Sequence, residues 1–549
     1  MKRLLSLLLA LLLLTLCACG QETPNQSIPT QSGTNPTGQP EEYDPELDKV
    51  YDENALFRYG RLAVQKDGKW GYINRVGTFV IPAKYDYAGA FAENGLARVL
   101  LNGKYGYIDT QGDYVIAAQF DWVGDFDQNN LAVVKQQGKL GLIDNNGAFV
   151  IQPQFEEILS FGENGFARVK KDGKFGYINT KGEVVIEPRF EEISGVSPNG
   201  LAVVKLEDRY GVVNNKDQLV LEPRYDYIWN FREDGFAMVE QDGKYGCINA
   251  EGQLVVQPQF DALWPFGEKG IAVVEQDGKY GYINTQGALV VAPRFDSAYD
   301  FSQIGLAPVK ENDQWGYINE AGELVIPPRF ESAEAFAANG LAAVKSEGKW
   351  GFVNRRGEWV IPAQYSNVLS FAANGLAAVE QWGVWGFVNA QGDLVIDVQF
   401  DEVYSFTESG LAKVALKDQW GLVDENGNLV TQPQFDEIAD FGAYGWAKVT
   451  LNGLYGFVNQ KGIVVVQPQF DEIGELFDHA MAAVALDGKW GYINETGTLI
   501  IDPEFSEASR FFSDGYAVVV RGDKYGVIDR VGSFVADPVY ENARYCVLG

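Results

Sequence analysis

Fourteen copies of one 35-residue pattern run from residue 60 to residue 549 without an insertion. That period limits the fold more than any other property of the chain. The copy at 270–304 reads GIAVVEQDGKYGYINTQGALVVAPRFDSAYDFSQI. A unit this short cannot bury its own apolar surface, so the copies must stack and share a core.

Each copy predicts three short strands, such as 271–274, 280–284 and 289–295. The first turn is Asp-Gly or Asn-Gly in seven copies, among them Asp67-Gly68, Asn102-Gly103 and Asp277-Gly278. That dipeptide suits a two-residue hairpin because both residues accept positive φ. The second turn starts with Asn or Asp in all fourteen copies, as at Asn74 and Asp529, and Gly follows three residues later in thirteen, with Asp217 the exception. This is a type I turn signature.

The apolar slots keep the same period. One is Val in every copy, Val64 through Val519; another is Tyr or Phe in every copy, Tyr85 through Tyr540. A third is Trp, Tyr or Phe in thirteen copies, with Leu140 the departure, and is always followed by Gly, Gly71 through Gly526. A strand Gly marks close approach, and the expected neighbour is a large ring from the adjacent unit. Pro near the end of the third strand in ten copies, Pro153 through Pro538, predicts that pairing stops there or lies at an edge.

The run Gly-Lys-Trp-Gly-Tyr-Ile-Asn at 68–74 and again at 488–494 resembles the bacterial WG repeat family. The resemblance covers residues 60–549. It implies an all-β repeat domain, often on exported or surface proteins, whose molecular function is mostly unassigned. It brings no catalytic residues with it.

The N-terminal stretch reads as an export signal over 1–18. Lys2 and Arg3 precede an apolar run, 4–16, that is short for a membrane span of about 20 residues. It ends Leu16-Cys17-Ala18-Cys19, which matches the bacterial lipoprotein box with Cys19 as the lipidated residue. A lipid there tethers the chain to a membrane without spanning it. Residues 19–50 are rich in Gln, Thr, Pro, Ser, Asn and Gly and read as a flexible linker. Residues 51–549 form the repeat domain, and its terminal units are expected to be atypical.

The formal charge of −31 argues against nucleic-acid binding and against docking on anionic lipid. Much of the acid is periodic. The residue after the third-strand aromatic is Asp or Glu in twelve copies, and Lys or Arg stands at the first turn in ten. The expected role is a solvated edge partly paired with those bases. A row of cation sites is the sharper alternative, but no copy carries an Asp-x-Asp-x-Asp-Gly loop, so no metal is expected.

Other chemistry is sparse. Cys247 and Cys546 occupy apolar slots and read as small apolar substitutes. The one histidine, His479, has no Ser or Cys motif aimed at it and reads as an exposed loop residue. No phosphate-binding Gly loop precedes a helix. Paired carboxylates recur with the repeat, whereas a hydrolytic pair is normally unique. The expectation is therefore a chain without catalysis and without a cofactor.

Residues that break the repeat are the candidates for binding. One mostly small slot holds Trp229, Trp264 and Tyr299 in three consecutive copies, and Tyr404 returns to it. Aligned rings offer a platform for sugar or for peptide side chains; packing over the inter-unit loop is the plainer role. Trp359, Trp382 and Trp446 do not align with one another and read as local packing.

The predicted fold is all-β: fourteen tandem 35-residue β-meander repeats. They form either propeller-like blades in two seven-bladed rings or an open superhelical stack. The segment 260–266 can add a short fourth strand. The expected function is that of an exported, lipid-anchored scaffold that binds a protein partner at the cell envelope. Cell-wall or glycan binding and a structural spacer are the alternatives.

Overall fold

A computed structural model describes residues 51–442, 445–474 and 481–544. Cys19, expected to be lipidated, lies outside the described residues, as do the expected signal and linker, His479 and Cys546. Every element is a β-strand, and the strands form fourteen four-stranded antiparallel sheets, called blades here.

The repeating blade is built as the turn chemistry dictates. In blade 7, Ile271–Gln276 pairs with Lys279–Asn284, which pairs with Leu289–Phe295. The first turn takes the left-handed conformation its residues allow, with φ 53° at Asp277 and 72° at Gly278. At the second turn Asn284 Oδ1 accepts the backbone N–H groups of Gln286 and Ala288, at 3.1 and 3.0 Å. This Asx turn explains why every copy opens that turn with Asn or Asp.

The Gly after the Trp slot has a different neighbour from the one expected. A Cβ on Gly281 would lie 2.6 Å from the Val291 carbonyl oxygen and 2.7 Å from the Pro293 nitrogen, and Gly71 meets Ile81 and Ala83 in the same way. The close partner is thus the backbone of the unit's own third strand, not a ring from the next unit. The cause is a bulge. Tyr280 faces Phe295 and Tyr282 faces Val291, so one residue opposes three. Pro293 falls inside that bulge on an edge strand, where its missing N–H is harmless.

The short fourth strand exists, but it serves the following unit. Ala262–Leu263 leaves the third strand of blade 6 and pairs with Ile271–Gln276 of blade 7. Each blade is therefore clasped by two residues from the preceding repeat. Blade 1 takes its clasp from the far end of the chain: Gln65 pairs with Asn542 and Val64 with Ala543.

That pairing closes one ring of fourteen blades. Two rings of seven would need an edge of blade 7 on blade 1. Instead Val273, Tyr282 and Phe295 of blade 7 share a core with Ala307, Val309 and Ile318 of blade 8. Blade 14 shares its core with blade 1 through Val518, Val527 and Tyr540 against Phe57, Leu62 and Val64. The open superhelix is excluded by the same contacts.

Candidate functional site

Adjacent blades are tied by groups that recur with the period. The buried second-strand Tyr donates its hydroxyl to a carbonyl in the next blade, as Tyr72 does to Gly89 at 2.8 Å and Tyr317 to Glu334 at 2.7 Å. Burial pushes these phenols well above their ordinary range, so they act as neutral donors.

The acidic row has a structural task. Asp296 accepts the Asn312 backbone N–H at 2.7 Å, at the tip of the next blade's first hairpin. Its other oxygen takes Lys279 Nζ of the preceding blade at 2.5 Å. Asp121 does the same with Gln137 and Lys104. Hydrogen bonds from these lysines hold Asp86, Asp121, Asp261 and Asp296 below their ordinary value. Among the described residues, no group of three or more His, Cys, Asp or Glu side chains is placed to hold a metal ion.

The ring closure uses chemistry seen at no other described blade junction. Asp514 accepts backbone N–H groups from Leu56 at 3.1 Å and Phe57 at 3.0 Å, and pairs with Arg75 at 2.9 Å. Both charged side chains are about 5% exposed. The guanidinium lies over the rings of Phe57 and Tyr516. Burial pushes the Asp514 carboxyl up, against the pull of Arg75 and the two N–H donors. At one other junction the equivalent slots hold a partly exposed pair of opposite sense, Lys269 and Glu320 at 3.5 Å.

The predicted platform residues sit where the repeat places them. Trp229, Trp264 and Tyr299 each follow the clasp strand of blades 6, 7 and 8. Each lies against the WG-slot ring of its own blade: Trp229 on Tyr245 at 5.8 Å, Trp264 on Tyr280 at 5.7 Å, and Tyr299 stacked on Trp315 at 5.2 Å and 13°. Tyr404 pairs with Trp420 in blade 11. Exposure rises along the series, from a half-buried Trp229 to 39% at Trp264 and 56% at Tyr299. The arrangement is a succession of ring pairs, one per blade, with each platform residue packed on the WG-slot ring of its own blade rather than over the inter-unit loop.

The remaining tryptophans divide. Trp446 packs on Phe457, as expected for local packing. Trp359 meets Phe330 of blade 8 edge-on yet stays 41% exposed. Trp382 does not pack locally. It occupies the positive-φ position of a hairpin tip, φ 56°, and is 82% exposed. The signal was available in the sequence, since Trp382 precedes Gly383 in a slot that elsewhere holds turn formers such as Asp67, Asn102 and Asp277. Cys247 is buried among Val256, Phe260 and Ala272, and burial pushes its thiol up to about 12.

Comparison with known families agrees with this period. The WG containing repeat matches fourteen consecutive segments from residue 47 to residue 525, including 70–105, 245–280 and 490–525.

The chain belongs to the WG-repeat family.

No curated protein matches it. Solved structures similar in outline to this WG-repeat chain include a eukaryotic initiation factor at 12% identity, which covers 56% of this chain and 96% of its own, with a TM-score of 0.30. The extracellular domain of the putative one component system BT4673 from B. thetaiotaomicron matches at 9% identity, 86% and 82% coverage and a TM-score of 0.20. PorZ, a bacterial surface component of the type-IX secretion system of Porphyromonas gingivalis, matches at 9%, 83% and 81%, and 0.18. At these scores the likenesses carry no argument about function.

Proposed function

We propose that this WG-repeat protein is a non-catalytic scaffold that binds a protein partner outside the cytoplasm, held at a bacterial membrane by a lipid on Cys19. The observation that carries the reading is the pairing of ring closure with exposed rings on consecutive blades. Closure between Leu62–Lys66 and Asn542–Ala543 gives a pre-organised platform. Trp264 and Tyr299 stand on it at the same slot of neighbouring blades. Large rings on a rigid frame lose little entropy when a partner docks. The export signal and the lipoprotein box supply the location.

The test is capture from cross-linked cell envelopes, wild type beside the Trp264→Ala/Tyr299→Ala variant. The expected result is a discrete partner that the variant loses while its thermal midpoint holds. Equal capture by both removes the ring series from the site. Replacing Cys19 by Ala is expected to move the protein from the membrane fraction to the soluble one; retention in the membrane contradicts the anchor.

Glycan binding is the second reading, favoured by the near-parallel Tyr299–Trp315 stack, which presents a flat face. Retention on cell-wall polysaccharide that is lost in the same variant supports it over a protein partner.

A further inference from the structure

Blade 9 departs from its neighbours in charge and in shape. Residues 340–374 hold four Lys and Arg against two Asp and Glu, whereas the next copy, 375–409, holds six acids and no base. The departure falls on the acidic row itself. The row position of this copy is Ser366, so Lys349 Nζ meets a hydroxyl at 3.5 Å where Lys279 meets a carboxylate. Lys349 therefore keeps a charge that the ladder pairs with a carboxylate in blades 1 to 7.

A cleft of about 460 Å³ opens beside it between blades 8 and 9, lined by Arg329, Phe330, Ser346, Arg356, Glu358 and Trp359. A second hollow of about 250 Å³ shares Ser346 and Trp359 and runs on to Lys349, Pro362 and Ala363, with Glu347 at its edge. The half-exposed indole of Trp359 thus stands between a guanidinium side and an ammonium side. Arg329 is engaged with the Gly357 carbonyl and fixes the cleft wall, while Arg356 stands beside it; both cations are exposed. Glu358 is held by Asn354 Nδ2 at 2.8 Å.

We propose that this groove binds carboxylated sugar units of the uronate type. The indole offers a flat apolar face to the C–H side of a pyranose. Arg356 and Lys349, on either side, pair with carboxylates of successive rings. The volumes suit a di- or trisaccharide, and the open form suits a chain that passes through. Glu347 and Glu358 on the rim disfavour a denser polyanion. This site is separate from the ring pairs of blades 6 to 8 and does not rest on the reading above.

Calorimetric titration of the full chain with trigalacturonate at low salt tests it, beside the methyl-esterified trimer and polyglutamate. The expected result is saturable binding of the acid alone. Arg356→Gln, Lys349→Gln and Trp359→Ala should each weaken it on the order of tenfold, and Trp264→Ala should leave it unchanged. Both charged residues are exposed, Arg356 in a turn and Lys349 at the start of a strand, so loss of binding at an unchanged thermal midpoint excludes misfolding as the cause. Absence of saturable binding overturns the proposal. So does retention of affinity in Arg356→Gln and Trp359→Ala, or equal affinity for polyglutamate, which assigns the groove to acidic peptide.

Discussion

The two halves of the ring solve one junction differently. In blades 1 to 7 the first-turn base meets a row carboxylate at every junction, from Lys69–Asp86 through Arg209–Asp226 to Lys279–Asp296. At six of the seven junctions of the second half the base is replaced by Gln314, Val384, Gln419 or Leu454, or the acid by Ser366 or Ser506; the seventh keeps Lys524 and Glu541, with Lys524 turned to Asp523. The backbone cap persists in both. Asp401 accepts from Lys417 N–H at 2.6 Å and Asp436 from Asn452 N–H at 2.6 Å, where the first-turn positions facing them are Val384 and Gln419. Where the row acid is present the cap is present with or without the base, so the carboxylate cap is the primary contact and the ion pair an addition, as expected where exposed pairs are worth little; the Ser366 and Ser506 junctions have neither. The consequence is charge. Residues 60–304 carry 24 bases against 33 acids, and residues 305–549 carry 16 against 34. The basic groove of blade 9 lies inside the more acidic half.

The seam between blades 14 and 1 gives the largest expected effect. Arg75→Ala leaves Asp514 buried beside two N–H donors and no cation, and should cost about 3–5 kcal/mol in urea unfolding. A loss below 1 kcal/mol would show that the seam does not hold the ring. Next comes the bulge: Gly281→Ala drives a Cβ into backbone and should cost about 1–3 kcal/mol, whereas Gly278→Ala at the hairpin tip meets no neighbour and is limited to backbone strain.

The halves can be set against each other directly. Asp296→Asn should lower the thermal midpoint more than Lys279→Gln, because it weakens both the cap and the ion pair. If the lysine change costs more, the ordering of cap over pair is wrong. Acid titration follows from the same carboxylates. Their folded pKa lies below the ordinary 3.8, so their contribution is complete above that value and is lost as pH falls through the lowered one. Asp514 works in the opposite sense, since its folded pKa is raised and its contribution fades as pH rises through it. Hydrogen exchange below pH 4 should therefore open blade junctions 1 to 7 while the seam stays protected.

Much of this was legible in the residues. Strand number, turn types and the first-turn base facing the row acid follow from Asx-Gly chemistry and a fixed period. The number of rings was not, because closure depends on a two-residue strand and on Arg75 meeting Asp514 across the chain ends. The recurrence of an aromatic followed by Gly, as at Trp70 and Gly71, suggests ring-on-glycine packing; the bulge that sets backbone there leaves no mark in an alternating pattern. The apolar character of Trp382 points to packing, but its place in a hairpin tip decides its exposure.

The central claim is one closed ring of fourteen blades, and a short thiol cross-linker reads it at residue level. Gln65→Cys would be paired in turn with Asn542→Cys and with Ser297→Cys, the clasp position that would close a seven-bladed ring. The account predicts an intramolecular link between 65 and 542 and none between 65 and 297. A link between 65 and 297, or none in either, would contradict it.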